Sequence, residues 1–324
     1  MGPKPDPEFE KILKSAPQPP LPSRDIHFLR EQTNTLNAKS RHPIPAGIKE
    51  YKVTIPVQDG SAISAQVYKP SFPQGKSPLY LAFHGGGYCI GSSEDESETN
   101  RALALELGFV VVSVEYRLAP EQKFPTCVYD GFDALKWVAA NAASLDANLA
   151  AGLIVGGVSS GGNIAMAVIY LNRDNDSPVT ITGQFLSVAN VLPPPVVPEK
   201  YKSAYKSVSE NKDYAIPPAE LIEVFMGAYQ PDLNSPLFVP FNHPNGHKGI
   251  PATYMQVCEL DDLRDEELIY ERVLREEAGI HTRLEFYEGL PHHFWEFFPT
   301  MDGHVKKRVR NTVAGFKWLL DGAQ

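Results

Sequence analysis

The sequence predicts an α/β fold in which a mostly parallel β-sheet is covered by helices on both faces. Short apolar runs, typical of strands buried on both faces, alternate along the chain with segments of helical periodicity. The prolines lie mostly outside this pattern: of 29, thirteen fall in residues 1–78 and eleven in residues 193–251. Because proline removes a backbone donor and disrupts helices and central strands, regular structure is expected mainly in residues 79–192 and 252–324.

The first part of the chain is predicted to be an arm followed by a β-hairpin. Residues 1–48 mix prolines with short amphipathic pieces, and we interpret them as an N-terminal cap arm. In Tyr51–Val57 and Ile63–Lys69, apolar and polar residues alternate around Asp59-Gly60, which is typical of a hairpin. The remainder, residues 49–324, is interpreted as one catalytic domain.

Two blocks of alternating strands and helices follow the hairpin. The first has predicted strands at Leu79–Phe83, Phe109–Val114, Leu153–Gly157 and Ile181–Val188, and predicted helices at Asn100–Leu107, Tyr129–Ala140 and Ser160–Asp174. The second has predicted strands at Thr253–Cys258 and Arg283–Tyr287, and predicted helices at Asp265–Ala278 and His304–Leu320. Such alternation indicates parallel strands joined by crossover helices. The proline-rich residues 193–235 interrupt it and are interpreted as a lid insertion.

The composition excludes several classes of function. Thirty Lys and Arg against 39 Asp and Glu give a net charge of −9, which disfavours a nucleic-acid partner or an anionic membrane surface. No apolar run approaches the ~20 residues of a membrane-spanning helix, so no stable membrane insertion is expected. The three cysteines are odd in number, contain no CxxC pair and accompany no signal peptide, which predicts a cytoplasmic protein.

Two charged runs are predicted to be solvated. Residues Glu94-Asp95-Glu96-Ser97-Glu98 are interpreted as a solvated loop, and Lys306-Lys307-Arg308 with Arg310 as a solvated helix face. Cys89, close to a glycine-rich loop, is interpreted as a small buried side chain.

The segment Gly157-Val158-Ser159-Ser160-Gly161 matches G-x-S-x-G. It follows an apolar strand and precedes a helical pattern, the context that a nucleophile elbow requires. In such a turn the serine points outward, and the positions two before and two after it are too crowded for a bulky side chain. Ser159 is therefore the candidate nucleophile, although a glycine-rich turn with an inactive serine stays open.

A second glycine-rich segment, His84-Gly85-Gly86-Gly87, follows the strand Leu79–Phe83. Consecutive glycines let the backbone turn its N–H groups toward a developing negative charge. Gly85, Gly86 and Gly87 are candidate oxyanion donors, together with the backbone N–H of Ser160. A phosphate-binding loop is the competing interpretation, but the spacing matches neither GxxxxGK[ST] nor GxGxxG.

A serine nucleophile needs a base, and the base needs an orienting acid. His292 lies in the loop after the strand Arg283–Tyr287 and is the preferred base, with its neighbour His293 as the rival. Asp261 lies closest to the end of the strand Thr253–Cys258 and is the preferred acid. The acids that follow it in Asp262-Leu263-Arg264-Asp265-Glu266 are expected to begin the next helix or to face solvent. A metal site at the paired histidines lacks further ligands at suitable spacing.

These motifs together resemble the hormone-sensitive-lipase-like branch of the α/β-hydrolases. The resemblance rests on HGGG at 84–87, EYRLAPE at 115–121, GVSSGG at 157–162, DDLRDE at 261–266 and HHF at 292–294. It implies an eight-stranded α/β-hydrolase sheet, a cap from the arm and an insertion, and carboxylic-ester hydrolysis without a cofactor. It also implies Ser159 as nucleophile, Asp261 as acid and His292 as base. The chain departs from the family pattern at Glu115, Val158, Ser160, Asp262 and His293.

The expected partner is a small-molecule ester, with short- to medium-chain or secondary-metabolite esters favoured and a homodimer as a family-level expectation. Two other functions stay open. One is a lyase, dehydratase or cyclase on the same fold, which the presence of Ser159 disfavours. The other is a ligand receptor, since gibberellin receptors resemble this branch but lack the histidine present here as His292. Aromatic residues of the lid suggest an apolar ligand or simple packing: Tyr201, Tyr205, Tyr214, Phe225 and Tyr229.

Overall fold

The structure, a computed structural model, describes residues 2–15, 23–40, 42–72, 77–176 and 178–323. Its strands are β1 (Ile48–Pro56), β2 (Ala62–Pro70), β3 (Leu79–Phe83), β4 (Val110–Glu115), β5 (Leu153–Val158), β6 (Gly183–Ser187), β7 (Thr253–Cys258) and β8 (Thr282–Tyr287). They form one eight-stranded sheet in the order β1-β2-β4-β3-β5-β6-β7-β8. Strand β2 is antiparallel to both of its neighbours, and all other neighbouring pairs are parallel. The predicted fold class is confirmed.

The helices alternate with these strands much as the sequence pattern predicts. They are α1 (Pro7–Ser15), α2 (Ile26–Ser40), α3 (Ser97–Leu107), α4 (Thr126–Asn141), α5 (Ser160–Arg173), α6 (Ser207–Glu210), α7 (Ala219–Tyr229), α8 (Arg264–Arg272), α9 (Phe294–Phe297) and α10 (Asp302–Leu320). Helix α8 continues into a single π-helical turn over Val273–Glu277. Within the described part of the chain, every helix is too short or too polar to cross a lipid bilayer.

Helices cover both faces of the sheet because its central strands are apolar on both sides. Along β3, Leu79, Leu81 and Phe83 pack with residues of α4 and α5, whereas Tyr80 and Ala82 pack with residues of α3 and α10 on the opposite face. Successive side chains of a strand point to opposite faces, so an unbroken apolar run supplies both cores. The short runs in the sequence are therefore buried central strands.

The parallel strands bring several loops to one edge of the sheet. The loops that follow β3, β5, β7 and β8 all leave from the carboxyl ends of parallel strands, where ligand sites of open α/β sheets lie. These loops begin at His84, Ser159, Glu259 and Glu288 and hold the candidate nucleophile, oxyanion donors, acid and base. The topology thus places the predicted site residues at a common edge.

The arm and the lid insertion contain short helices outside this sheet. Residues 1, 16–22 and 41 of the predicted arm lie outside the described residues, and α1 and α2 account for most of the rest. The lid insertion contains 3₁₀ turns together with α6 and α7. The predicted hairpin is confirmed, because β1 and β2 pair in register from Ile48↔Pro70 to Pro56↔Ala62.

Candidate active site

Ser159 occupies a tight turn between β5 and α5. Its backbone angles are φ +53° and ψ −123°, in a left-handed region that residues other than glycine rarely adopt. The flanking glycines make the turn possible. A Cβ on Gly157 would lie 2.5 Å from the Phe83 carbonyl oxygen, and a Cβ on Gly161 would lie 2.2 Å from the same atom. Ser159 is partly exposed while the residues on either side are buried, so its hydroxyl faces the open edge of the sheet.

The side chains of Ser159, His292 and Asp261 form a continuous chain of hydrogen bonds. His292 Nε2 lies 3.1 Å from Ser159 Oγ, and His292 Nδ1 lies 2.6 Å from Asp261 Oδ2. An ionised carboxylate only accepts hydrogen bonds, so Nδ1 carries the ring proton and Nε2 presents its lone pair to the serine hydroxyl. Asp261 is 2% exposed, and its other oxygen accepts the Leu263 N–H at 2.9 Å. These contacts fix the orientation of the carboxylate and the tautomer of the histidine.

The glycine loop after β3 is held by two side chains behind it. Tyr116 Oη donates to the His84 carbonyl at 2.9 Å, and His84 Nδ1 donates to the Gly85 carbonyl at 2.7 Å. The two rings stack at a centroid distance of 4.2 Å. Because a trans peptide is planar, fixing the Gly85 carbonyl makes the Gly86 N–H point the opposite way. The loop therefore has a defined backbone orientation beside Ser159.

The loop cannot carry side chains at two of its three glycines. Gly86 has φ +113°, and a Cβ there would lie 2.1 Å from the Ile90 carbonyl oxygen. Gly87 has φ +58°, and a Cβ there would lie 2.3 Å from the ring of Phe225 in the lid helix α7. Within the described residues, the N–H groups of Gly86, Gly87 and Ser160 take part in no hydrogen bond of the protein. They are available to a negatively charged oxygen.

The segment EYRLAPE fastens this loop to the arm. Arg30 of α2 donates to the Cys89 carbonyl at 3.0 Å and to the Ala119 carbonyl at 2.7 Å, and pairs with Glu121. Glu115 accepts the Ser93 N–H at 2.8 Å. These bonds connect the arm, the glycine loop and the segment after β4, so the arm contributes directly to the order of the site.

Most lid aromatics pack against the protein. Tyr229 stacks on Tyr88 of the glycine loop at 4.0 Å, and Phe225 lies against Gly87. Tyr201, Phe225 and Tyr229 are buried, which makes packing their main role. Cys89 is also buried, as predicted, and its thiol contacts the Phe225 carbonyl.

The prediction that the acids after Asp261 start the next helix or face solvent is confirmed at the helix start, although these residues are buried there. Asp265 and Glu266 do begin α8, but both are buried, and so is Glu267. Asp265 accepts the N–H groups of Lys206 and Ser207, which lie in the lid insertion. Burial raises the pKa of Glu266 to about 7, and burial together with Asp261 raises the pKa of Asp262 to about 6. A helix-start pattern does not show that its acids will meet backbone donors from a distant segment.

Two predictions for charged runs are wrong at particular residues. In the run Glu94–Glu98, Glu96 is largely buried instead of solvated, and Ser97 and Glu98 begin α3. In the basic run of α10, Arg308 is buried and paired with Glu96. His293 does not face Ser159, because its Nε2 contacts the same Glu96 carboxylate at 3.0 Å. The structure therefore brings His292, and not His293, to Ser159.

The site geometry agrees with similarities to known proteins. A family model described as alpha/beta hydrolase fold matches residues 80–296. An AB hydrolase superfamily protein of Schizosaccharomyces pombe is 35% identical over 321 residues, covering 98% of this chain and 94% of that protein. The versiconal hemiacetal acetate esterase of Dothistroma septosporum is 33% identical over 264 residues, covering 81% of this chain and 79% of that protein. The crystal structure of vibralactone cyclase superposes with a TM-score of 0.87 at 30% identity, covering 99% of this chain and 96% of that one.

Proposed function

The chain belongs to the hormone-sensitive-lipase-like family of α/β-hydrolases and is an esterase-like member of it, and we propose that it is a serine carboxylesterase. The observation that supports this proposal best is the hydrogen-bonded chain Asp261–His292–Ser159, with 2.6 and 3.1 Å between its polar atoms. We further propose short- to medium-chain or secondary-metabolite esters as substrates. The name of one relative, which specifies an acetate ester, supports a short acyl group.

The reaction begins with attack of Ser159 Oγ on the ester carbonyl carbon. His292 Nε2 takes the hydroxyl proton, and the buried Asp261 carboxylate stabilises the imidazolium that forms. The tetrahedral intermediate then collapses. His292 returns the proton to the leaving alkoxide, which departs as the alcohol and leaves the acyl group on Ser159.

The negative charge of the tetrahedral intermediate develops on the former carbonyl oxygen. The N–H groups of Gly86, Gly87 and Ser160 are the proposed donors to it, and Gly85 holds its carbonyl away from the site toward His84. Fixed donors stabilise the charge without reorganising during the reaction. Loss of one such donor typically costs about 100- to 1,000-fold in kcat.

Water completes the cycle by attacking the acyl-enzyme with His292 again acting as base. This step releases a carboxylic acid and regenerates the serine hydroxyl. No cofactor is required, because all proton transfers are made by His292 and all charge stabilisation comes from the backbone and Asp261.

The first test is the Ser159→Ala variant, assayed with p-nitrophenyl esters of increasing acyl length. We expect kcat to fall by at least about 1,000-fold on every ester, because removing a triad member leaves only the oxyanion site and binding. Ser144→Ala is the matched control, since Ser144 is exposed and its hydroxyl donates to the Asn141 carbonyl at the end of α4, not to a residue of the site. Hydrolysis at the wild-type rate by Ser159→Ala would contradict the proposal. Stoichiometric labelling by a fluorophosphonate, lost in Ser159→Ala alone, would identify the activated serine.

A cyclase is the second candidate function, and the similarity to vibralactone cyclase supports it. An acyl-enzyme on Ser159 can be resolved by a hydroxyl of the acyl group itself in place of water, and the product is then a lactone. Hydroxyacyl esters distinguish the two outcomes when the assay is run in H₂¹⁸O. Hydrolysis gives a hydroxy acid that contains ¹⁸O, whereas cyclisation gives an unlabelled lactone.

A further inference from the structure

Three features of the sequence have no role in the proposed mechanism, and the structure brings them together. They are the acidic run before α3, the second histidine of the pair at 292–293 and the basic run of α10. One residue of each, Glu96, His293 and Arg308, belongs to a single buried cluster. Glu96 is 197 residues from His293 and 212 from Arg308 in sequence, so the cluster is a cross-link between distant segments.

The Glu96 carboxylate is the centre of this cluster. One oxygen accepts hydrogen bonds from His293 Nε2 at 3.0 Å and from Trp295 Nε1 at 3.2 Å. The other oxygen accepts from Arg308 Nη1 at 3.1 Å. Both donors on the first oxygen belong to the segment that directly follows His292.

Arg308 is itself held firmly. Its Nη1 donates to Thr99 Oγ1 at 2.5 Å, its Nε donates to Gln256 Oε1 at 3.2 Å, and its guanidinium lies over the Trp295 ring at 4.0 Å. The side chain is 1% exposed. A buried guanidinium requires a carboxylate partner, and Glu96 supplies it.

His293 connects this cluster to the reacting groups. It follows His292 directly, and its φ of +50° is a left-handed conformation that favours glycine. A Cβ built on Gly85 of the glycine loop, which holds the proposed oxyanion donors, would lie 3.8 Å from His293 Cε1, so the ring lies against that loop. The turn at His293 therefore has an unfavourable backbone conformation, and it adjoins both the proposed base, His292, and the glycine loop. Such a conformation persists only where surrounding contacts enforce it.

We propose that Glu96 is a positioning residue for the proposed catalytic base: paired with Arg308, it anchors His293 and Trp295 and thereby fixes the turn that presents His292 to Ser159. This inference rests on the proposed function, because it assumes that His292 acts as the base. Glu96 itself touches no reacting atom.

The electrostatics of the cluster agree with this arrangement. Arg308 and the hydrogen bonds from His293 and Trp295 outweigh burial and lower the pKa of Glu96 to about 2. Burial lowers the pKa of His293, which favours the neutral ring. The opposite charges of Glu96 and Arg308 cancel within their own pair. The other titratable groups near Glu96 are Tyr80 on β3, Asp95 and Glu296, and burial raises the pKa of Glu296 to about 8. Asp261 and Asp262 face His292 from the other side.

The test compares Glu96→Gln, Arg308→Met and the double variant in hydrolysis of a short p-nitrophenyl ester. In Glu96→Gln we expect kcat to fall about 10-fold with KM within about twofold, because the base is misplaced and the substrate pocket is not. The uncompensated Arg308 charge disfavours a protonated base, so the acid limb of the kcat/KM profile moves to lower pH by roughly half a unit. Arg308→Met leaves a negative charge and moves the limb to higher pH. The double variant returns it toward the wild-type position, and Arg308→Lys, which keeps the charge, leaves it in place.

Matched controls separate positioning from general destabilisation. Glu50 on β1 and Arg101 on α3 form a largely buried pair at 2.6 Å, and Arg101 otherwise donates to the His42 carbonyl, away from the His292 turn. Glu50→Gln should lower the melting temperature without moving the acid limb. Each pH profile is also measured with Glu296→Gln added to the variant. Ionisation of Glu296 then cannot replace the charge removed at Glu96.

The outcomes distinguish this inference from the proposed function. If Ser159→Ala retains activity, the proposed function fails whatever the Glu96 variants do. If the wild type is labelled stoichiometrically by a fluorophosphonate but Glu96→Gln changes neither kcat nor the acid limb, the inference fails and the proposed function stands. A shift of both single variants in the same direction also overturns the inference.

Discussion

Ser159 shows how a single backbone conformation depends on the residues around it. Its φ is +53°, and at this turn β3, β5 and α5 lie so close together that a Cβ on Gly157 or Gly161 would overlap the Phe83 carbonyl oxygen. Neither neighbour has room for a methyl group. The G-x-S-x-G spacing is therefore a packing requirement, and the serine is the one residue of the turn whose side chain has space to point outward.

Gly161→Ala should disrupt the site through this contact. The added Cβ would lie 2.2 Å from the Phe83 oxygen and 2.3 Å from the His84 oxygen, both backbone atoms at the start of the glycine loop. Backbone cannot move aside as a flexible side chain can, so we expect kcat/KM to fall at least about 100-fold and the melting temperature to drop. Gly227→Ala in α7 is the control, because a Cβ there meets nothing within 4 Å and its melting temperature should be unchanged or higher. Wild-type kinetics in Gly161→Ala would contradict the packing explanation.

At the scale of elements, the start of α8 joins the sheet to the lid insertion. Glu266 accepts the Val191 N–H at 2.5 Å and the Tyr205 hydroxyl at 2.7 Å, while Glu267 accepts the Ala189 N–H at 2.7 Å. Buried carboxylates here replace the backbone partners that an irregular segment lacks. The lid insertion is therefore tethered at its beginning by the helix that follows the proposed acid, Asp261.

This tether predicts a pH dependence of stability. Burial raises the pKa of Glu266 from an ordinary value near 4.5 to about 7, so the folded protein holds the proton more tightly than the unfolded chain. Stability from this group is full below pH 4.5 and is lost as pH rises through about 7. Glu266→Gln should remove this dependence and raise the free energy of unfolding at pH 8.5 by on the order of 1 to 3 kcal/mol. Glutamine fits because Tyr205 can accept from its amide and still donate to the Leu192 carbonyl, 2.9 Å away.

Thermal unfolding at pH 5 and pH 8.5 checks this prediction. Glu271→Gln serves as the control, since Glu271 lies on the same helix but pairs with Arg275 near the surface. Its change in melting temperature should be similar at both pH values. A Glu266→Gln variant that loses stability more at pH 8.5 than at pH 5 would show that the ionised carboxylate stabilises the tether.

The local sequence pattern predicted the positions of strands and helices well. It predicted poorly which residues distant in sequence would be in contact. Strands Leu79–Phe83 and Thr253–Cys258 have the predicted bounds, because an apolar run between polar residues has clear ends. Helix α3 begins at Ser97, three residues before the predicted start, because the acidic run before it looks like solvated loop. Because the whole run looks solvated, its pattern also gives no sign that Glu96 is largely buried. Its partner His293 is 197 residues away, and no periodicity indicates which side chains will meet over such a separation.

For the whole molecule, the uneven distribution of prolines describes the architecture only in part. All six parallel strands from β3 onward lie in the two proline-poor blocks, as predicted. The proline-rich blocks nevertheless hold β1, β2 and helix α7, and at β1 and β2 the prolines stand at strand ends, where a missing donor is tolerated. Proline density therefore separates the central sheet from its surroundings, but it does not separate ordered from irregular chain.

The arm also contributes more to the molecule than its composition indicates. Phe9 of α1 is fully buried among Leu290 and Phe294, which flank the proposed base, and Val158, which precedes Ser159. The Asp6 N–H donates to the Gly289 carbonyl at 2.9 Å, in the same loop as His292. Helix α1 thus completes a hydrophobic cluster next to Val158 and the loop that holds His292.

Phe9→Ala should therefore lower both stability and catalysis, and not only alter which ester is accepted. Removing a fully buried phenyl ring is expected to cost about 3 to 5 kcal/mol in the free energy of unfolding. Because the cavity would lie beside Leu290, kcat should fall for all acyl lengths by a similar factor. Phe28→Ala in α2 is the matched control: its ring is 47% exposed, so stability should change by less than about 0.5 kcal/mol. Denaturant unfolding of both variants measures the change in the free energy of unfolding, and kcat on esters of increasing acyl length measures the change in catalysis. A Phe9→Ala enzyme of wild-type stability, altered only in its acyl preference, would show that α1 shapes the substrate pocket and does not support the core.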